Sequence, residues 1–554
     1  MQIGLGLGIC RGGSLESGPS PFILEVDTTN AGVTTSTQMT LPLRTGDTYD
    51  FNVDWGDGNN QDVTSDSNIV HTYSSSGVYD ITVTPQDDGT GFPSIYFAGA
   101  NDDTKVTKVK QWGITKWDNF SSSFTGCSNM VNESTDEPDC ALVTSFFNAF
   151  YSCSSLAKGI SPSDVSLVKS TQGMYRFADL GTSTSIAMSF PACTTARQMF
   201  RDSYGSFNVG DLTFGNTGFN DNYEMFRNSE LATMGDLDCS GSTSVVSISN
   251  TFRDCPNITT IGDVTYNGSY DHTATSFCYD NPSLTTIGQV SMAGTTNFQG
   301  AFRFNELLTS INLVCDSATN FTDIFDEGNA LSSITLSDTS NVTNWSRAFE
   351  DTAITAPPSC DYSNGTIFTG TFSLCSSVTA WGNLDFSSAT SMNSTFSGAN
   401  TTASWGTITT SASLTSMVST FQSTGFATPP TITNTSAVTN WHSCFESSAI
   451  TSTQAYDTSA GATMDEMYRN VDFADTYDLP THDLSAMTSG VNFLYLSVIS
   501  TSSYDDLLVD MEANNSNTVT FHGGSSTYTA TGETARDALI ADHSWAFTDG
   551  GLEP

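Results

Sequence analysis

Residues 317–325 read SATNFTDIF, and the chain repeats this phrase in variation: SNVTNWSRAF at 340–349, SSATSMNSTF at 387–396, ASLTSMVSTF at 412–421 and SAVTNWHSCF at 436–445. Every variant closes on Phe and carries a large apolar residue four positions earlier: Phe321, Trp345, Met392, Met417 and Trp441. Taking the closing residue as an anchor and working outward gives Phe124, Phe150, Tyr175, Phe200, Phe226, Phe252, Cys278, Phe302, Phe325, Phe349, Phe372, Phe396, Phe421, Phe445 and Tyr468, spaced 23 to 26 residues apart. A period of that size predicts a solenoid in the leucine-rich-repeat range, because one coil cannot bury its apolar stripe without neighbours stacked on it. The expected fold is mainly β, with about 15 coils, one per anchor.

Other columns keep the same register. Six residues after the anchor stand Met130, Leu156, Ile258, Leu284, Leu308, Leu331 and Val378; nine after it stand Ile261, Ile287, Ile311, Ile334 and Trp381. Cys127, Cys153, Cys255 and Cys375 all lie three after their anchors, which reads as a small buried thiol position rather than a disulfide framework. The recurring phrases, together with FTGCSNM (124–130), FYSCSSL (150–156) and FSLCSSV (372–378), resemble the BspA-like leucine-rich-repeat surface proteins, the DUF285 type. VTKVKQWG at 106–113 resembles the usual lead-in to such an array. YDDLL (504–508), TFHGGSSTY (520–528), ARDALI (535–540) and WAFTDGG (545–551) resemble its usual end. The resemblance implies a parallel β-solenoid over 99–500, a C-terminal cap over 501–554 and an adhesive or interaction role, with no catalytic residues to carry over.

Ahead of the array, FILEV (22–26), TQMTLPL (37–43), YDFNVDWGDG (49–58) and VYDITVTP (78–85) alternate between apolar and polar residues and are separated by turn residues, the pattern of a small β-sandwich over 21–98. The WGDG turn at 55–58 and the later His71-Thr72-Tyr73 and Gly77-Val78-Tyr79 resemble the PKD family of immunoglobulin-like domains, which implies a spacer or adhesion module. Asp54, Asp57, Asn59 and Asp62 read either as Asx turns or as a Ca²⁺ loop; EF-hand spacing is absent, so no metal and no cofactor is assigned. Residues 1–20 are left as an N-terminal attachment segment. They show no basic n-region ahead of an apolar stretch, so no signal peptide is read there.

With 59 Asp+Glu against 17 Lys+Arg, the 554-residue chain has a formal charge of −42. That field repels phosphates and anionic lipid surfaces, so nucleic acid is not an expected partner. No run of 18 apolar residues occurs, so membrane insertion is not expected either. Aromatic residues make up 11% of the chain, too many for a chain that cannot form a core.

The scarce cations are ordered. Arg176, Arg201, Arg227, Arg253 and Arg303 each follow an anchor directly, as does Arg469, while Asp326, Glu350 and Glu446 take that place in other units. Equal register in a solenoid means stacking, so these arginines form either a structural charge ladder with acids such as Asp202 and Asp254, or a cationic stripe for a carboxylated or sulfated glycan or an acidic partner. No HExxH, GxSxG, Walker A or Rossmann pattern is present. Three readings follow. The first is a non-enzymatic bacteriophage virion-surface protein, a head or tail fibre or decoration protein, docked on other virion proteins through residues 1–20. It would present the solenoid to a host-surface glycan or protein, as a monomer or a homo-oligomer. Its support is the GLGLGI start and the spacer-plus-solenoid layout. The second is an extracellular bacterial cell-surface adhesin. The third is a polysaccharide-active enzyme, which needs carboxylates set across a groove.

Overall fold

Phe22–Asp27 (β1) buries Phe22, Leu24 and Val26 on one face, and its two neighbours show how the chain is organised. On one side it pairs antiparallel with Val78–Pro85 (β6); on the other it pairs antiparallel with Val106–Gln111 (β7). Phe51–Asp54 (β3) and Asn60–Val63 (β4) extend the sheet beyond β6, and Val131–Asn132 (β8) pairs parallel with β7. Gln38–Leu41 (β2) and Ile69–Thr72 (β5) form a second, two-stranded sheet. The two sheets are tied by aromatic contacts: Trp55 stacks on His71 at 4.7 Å, and Tyr73 Oη donates to the Trp55 carbonyl at 3.2 Å. The lead-in strand β7 is thus shared. It closes the sandwich sheet and opens the parallel ladder of the coils, so that sheet edge is covered rather than left exposed.

The computed structural model describes residues 20–86, 88–99, 102–182, 185–244, 247–267, 272–399, 402–473 and 482–553. Of the proposed attachment segment only Ser20 falls within them; its Oγ accepts from Gln111 Nε2 at 2.6 Å. The chain divides into two compact units, Met1–Leu167 and Val168–Pro554.

Within each coil the repeated phrase folds as two tandem turns. In SATNFTDIF and the residues after it, Ile324 N–H donates to the Phe321 carbonyl and Gly328 N–H to the Phe325 carbonyl, both at 3.1 Å. The third residue of each turn has positive φ, 57° at Asp323 and 58° at Glu327, the type II arrangement. The same pair of left-handed positions, two before and two after the anchor, recurs from Ser122 and Gly126 to Glu466 and Asn470. Gly, Asn, Asp, Ser and Glu dominate there and no β-branched residue occurs, although the chain is rich in Thr. A branched Cβ is the side chain that tolerates this conformation least.

Coils join through backbone bonds between successive anchor segments, such as Phe226 N–H to Thr251 O at 2.8 Å and Phe396 N–H to Thr420 O at 3.0 Å. The anchor rings stack: Phe200 on Phe226 at 5.0 Å, Phe226 on Phe252 at 5.1 Å, and Phe396 on Phe421 at 5.5 Å with 2° between the ring planes. At Cys278 the ring is supplied by the preceding residue: Phe277 meets Phe252 edge-on at 5.5 Å.

The expectation of 15 coils is corrected to about 18 among the described residues. The stacking does not end at Tyr468. The next coil is centred on Leu494, flanked by left-handed Asn492 and Leu496, and Phe493 supplies the ring against Tyr468 at 5.5 Å. Thr520–His522 and Ala546–Thr548 then pair in parallel, and the helices Thr501–Asn514 (α1) and Ala530–His543 (α2) form the intervening segments of these last coils. Leucine at the anchor and helices in the return path interrupt the aromatic spacing there.

All eleven described cysteines are free. Their column has a hydrogen-bonding reason. Cys153, Cys255 and Cys375 donate Sγ–H, each at 3.0 Å, to the carbonyls of Phe124, Phe226 and Phe349, the anchors of the preceding coils, and Ser497 Oγ does the same to Tyr468 at 2.7 Å. Burial pushes the Cys255 and Cys375 thiols up to about 12, so they remain protonated donors.

A second ladder runs where the outer strands stack from Ser185–Ser189 to Ser333–Leu336. Asp211 accepts from Asp236 N–H at 3.0 Å, Asp236 from Asp263 N–H at 2.8 Å, and Asp263 from Gln289 N–H at 2.8 Å. Each of these acids follows a glycine that lets the backbones approach. A Cβ on Gly262 would lie 2.7 Å from the Gly235 carbonyl oxygen. Gly262→Ala is therefore expected to cost about 1–3 kcal/mol, because backbone rather than a side chain must move. Urea unfolding followed by circular dichroism checks it, with an unchanged midpoint counting against the ladder.

Candidate functional site

The structure sets the column residues Arg176, Arg201, Arg227 and Arg253 in one alternating chain of charge. Arg176 lies 3.8 Å from Asp202, which Arg201 also engages at 3.1 Å. Arg201 and Arg227 both pair with Glu224, and Arg227 and Arg253 share Asp254, at 3.9 and 3.2 Å. The acids come from the left-handed turn positions: Glu224 lies two before its anchor, Asp202 and Asp254 two after. The turn geometry that favours Asp and Glu over branched residues therefore also aims carboxylates at the arginines of neighbouring coils. Glu224 is buried; burial opposes its charge, but hydrogen bonds from Gln198 and Arg227 and the Arg201 charge outweigh it and hold the carboxyl below the usual range.

Tyr279 breaks this chain. The Arg253 guanidinium lies 4.9 Å above its ring, and the Tyr279 ring meets Phe304 edge-on at 5.2 Å. Arg303, the fifth column residue, joins a separate group. It contacts Asp326 at 2.9 Å, Glu327 at 3.7 Å and Asp323 at 4.0 Å, while Arg347 grips Asp323 through two bonds of 2.6 and 3.0 Å. Arg469 pairs with Glu446 at 2.7 Å. Each of the five column arginines keeps only a quarter to a third of its side chain exposed. Arg176, Arg253 and Arg303 also lie over aromatic rings at 4.4 to 4.9 Å. The edge offers guanidinium groups already paired with acids, interleaved with partly exposed aromatic faces. Glu224 and Asp323 as partners were missed in the sequence because they come from the turn two residues before an anchor, not from beside it.

The Arg303 group lines a depression of about 310 Å³ with Asp326, Glu327, Arg347, Glu350, Asp351 and Leu374. Asp326, almost fully buried, is pushed up from 3.8 to about 7, by desolvation first and then by the charges of Glu350, Asp323 and Glu327 against the opposing pull of Arg303. A carboxyl raised in the folded state holds a proton that the unfolded chain has lost, so its contribution is present at low pH and disappears as pH rises from about 4 to about 7. Asp326→Asn should therefore leave stability unchanged near pH 4 and raise it by about 1–2 kcal/mol at pH 8. That is less than the full displacement corresponds to, because the surroundings relax and water reaches the ionised carboxylate; the pull of Arg303 is already contained in the displacement. Urea titrations at the two pH values measure this; equal shifts at both would contradict it.

In the N-terminal unit the WGDG residues act locally. Asp54 accepts from Gly56 N–H at 2.9 Å and Asp57 from Asn59 N–H at 3.0 Å, with His71 Nε2 at 2.9 Å from Asp57, while Asp62 takes the Asn52 amide at 2.8 Å. Among the described residues no group of three or more His, Cys, Asp or Glu side chains is set to hold a metal ion, and no helix is long and apolar enough to cross a membrane.

The family model described as Mycoplasma protein of unknown function, DUF285, matches residues 94–213 and 412–493. Over those residues the repeat is similar to the DUF285 type. They amount to less than half of the chain, and the tandem turns continue between them through residues 214–411. No curated protein matches significantly. A solved structure that does match is a leucine rich cell surface protein from Faecalibacterium prausnitzii A2-165, at 15% identity over 53% of this chain and 78% of that one, with a TM-score of 0.23.

Proposed function

We propose that this chain is a non-enzymatic surface protein whose solenoid is an attachment surface. The observation that carries the reading is the alternating Arg–carboxylate edge from Arg176 to Arg253, with a separate group of the same kind at Arg303 and Arg347. It is a long, regularly spaced row of partly exposed charged and aromatic side chains on a rigid stack. Ion pairs within the row hold the guanidinium groups in place, and the exposed part of each remains open to a carboxylate or sulfate of a host-surface glycan or protein. The resemblance of the repeat to the BspA-like surface proteins, the DUF285 type, supports an exterior location. The finer placement is on a bacteriophage particle, with residues 1–20 joining the chain to other virion proteins and a PKD-like sandwich as spacer; homo-oligomers would multiply the edge. The alternative placement is a bacterial cell surface. The second alternative is a polysaccharide-active enzyme, which needs a pair of carboxylates set across a groove.

Quantitative mass spectrometry of purified particles, host envelopes and soluble host extract tests location. Enrichment in particles supports the virion placement, and enrichment in envelopes alone supports the cell-surface one. Presence only in the soluble extract overturns both. Replacing Arg201, Arg227 and Arg253 together by Gln is expected to abolish attachment to host cells. A melting defect with unchanged attachment would remove the edge from the reading.

A further inference from the structure

Two neighbouring coils carry Trp-Gly where the earlier coils carry Val209-Gly210, Met234-Gly235, Ile261-Gly262 and Ile287-Gly288: they are Trp381-Gly382 and Trp405-Gly406. Their indole rings are parallel, 4.9 Å apart with 12° between them. On each side stands a coil with a Pro-Pro pair, Pro357-Pro358 and Pro429-Pro430. Proline has no N–H to give a ladder. Pro357-Pro358 stands where the outer parallel sheet is interrupted, between Ser333–Leu336 and Ala380–Phe386; Ser404–Thr410 and, directly after Pro429-Pro430, Thr431–Ile432 continue it.

This block leaves two depressions flanking the Trp-Gly strands. One, of about 520 Å³, is lined by Pro357, Pro358, Tyr362, Trp381, Gly382 and Asn383 among others. The other, of about 480 Å³, is lined by Trp405, Phe426, Pro430, Thr402, Thr428 and Gln454 among others. The second contains no Asp, Glu, Lys or Arg, in a chain of formal charge −42. The first contains Asp361 and Asp385, and both acids already accept backbone N–H groups two residues on, from Ser363 and Ser387 at 3.0 Å. Gly382 has positive φ and open space where a Cβ would point, so nothing fills the floor of the first depression at that position.

We infer that the Pro-Pro/Trp-Gly block is a binding site for a neutral oligosaccharide, separate from the Arg edge. Half-buried Trp405, Pro357 and Pro358, over a floor of buried Trp381, Phe426 and Pro430, suit the C–H face of a pyranose, and the Thr, Ser, Asn and Gln groups at the rim suit its hydroxyls. Neither depression offers a Lys or Arg to an anionic sugar, and the second offers no carboxylate to a cationic ligand. The depressions flank two adjacent strands, so at about 4.8 Å per coil their centres are roughly 10–15 Å apart, a span of about three sugar rings. The inference rests on the attachment reading for its biological use, but the site itself is testable alone.

Isothermal titration of the full chain with cellotetraose, maltotetraose, mannotetraose and tetra-N-acetylchitotetraose, beside tetragalacturonate, tests it. At least one neutral tetrasaccharide is expected to bind with a dissociation constant of about 1 mM or tighter. Thr428→Ala with Gln454→Ala, at surface positions that leave the stack intact, should weaken it roughly tenfold, Trp405→Ala should do the same, and Arg201→Gln should have no effect. The inference is overturned if no neutral sugar saturates at about 10 mM, if tetragalacturonate binds more tightly, if the block captures an extended peptide in preference to any sugar, or if the variants leave binding unchanged. Any of these results leaves the particle and envelope measurement untouched, so the attachment reading fails or stands separately.

Discussion

Lys105→Met is expected to destabilise the N-terminal unit by about 3–5 kcal/mol, because it strips a fully buried ion pair of one partner. Lys105 and Asp102 are both fully buried, 3.4 Å apart. Lys105 Nζ donates to the carbonyls of Thr34, Thr35 and Gln38 at 2.8 to 3.1 Å and to Thr34 Oγ1 at 2.8 Å. Asp102 accepts from the N–H groups of Thr34 and Thr40 at 3.0 and 2.8 Å. Burial opposes the Asp102 charge, but these hydrogen bonds outweigh it and keep the carboxyl below its usual range. The pair thus pins the segment before β2 onto the turn that leads into β7, which joins the sandwich to the first coil. Removing the ammonium leaves an ionised buried carboxylate and three carbonyls without their donor. The double variant Lys105→Met/Asp102→Asn should cost less than the sum of the single variants, since the unpaired charge is gone. Amide exchange at Thr34 and Thr40 reads the local effect directly. A single-variant loss below about 1 kcal/mol would mean that water reaches the site.

Phe226→Ala should cost about 3–5 kcal/mol as well, for a different reason. The ring is fully buried and stacked face to face on Phe200 and Phe252, so deletion opens a cavity with aromatic walls on both sides. In an array of stacked coils each unit is stabilised by its neighbours, so the loss spreads to the adjacent interfaces and fades beyond them. Exchange of the Phe200 and Phe252 amides should accelerate, while that of Phe421 should not. Uniform acceleration along the chain would contradict nearest-neighbour stacking.

The array was legible in the sequence because its core repeats at one register: Phe226, Phe252, Phe396 and Phe421 needed only counting. The N-terminal strands were legible because β1 alternates buried and half-buried residues. Their sharing of β7 with the coils was not, since VTKVKQ reads equally as the end of one sheet or the start of another. The last coils were missed because Leu494 replaces an aromatic and because α1 and α2 occupy the return path. The Arg column was placed by spacing alone, but its neutralisation depends on backbone geometry. Glu224 and Asp323 reach the arginines because left-handed turns turn their side chains toward the next coil, and no linear pattern carries that direction. The Trp-Gly block was partly visible as Trp381 in an Ile column, yet its depressions arise from prolines in other coils.

Within Val168–Pro554 one repeated unit runs from Tyr175 to Phe547. Residue-resolved hydrogen exchange on the intact chain tests this most directly. The amides of Leu494 and Gly523, which donate to His522 and Thr548 at 2.9 and 2.8 Å, should be protected to the same degree as those of Phe226 and Phe396. Fast exchange throughout residues 501–548, with protection ending at Tyr468, would show that the array stops there and would contradict the continuous stack.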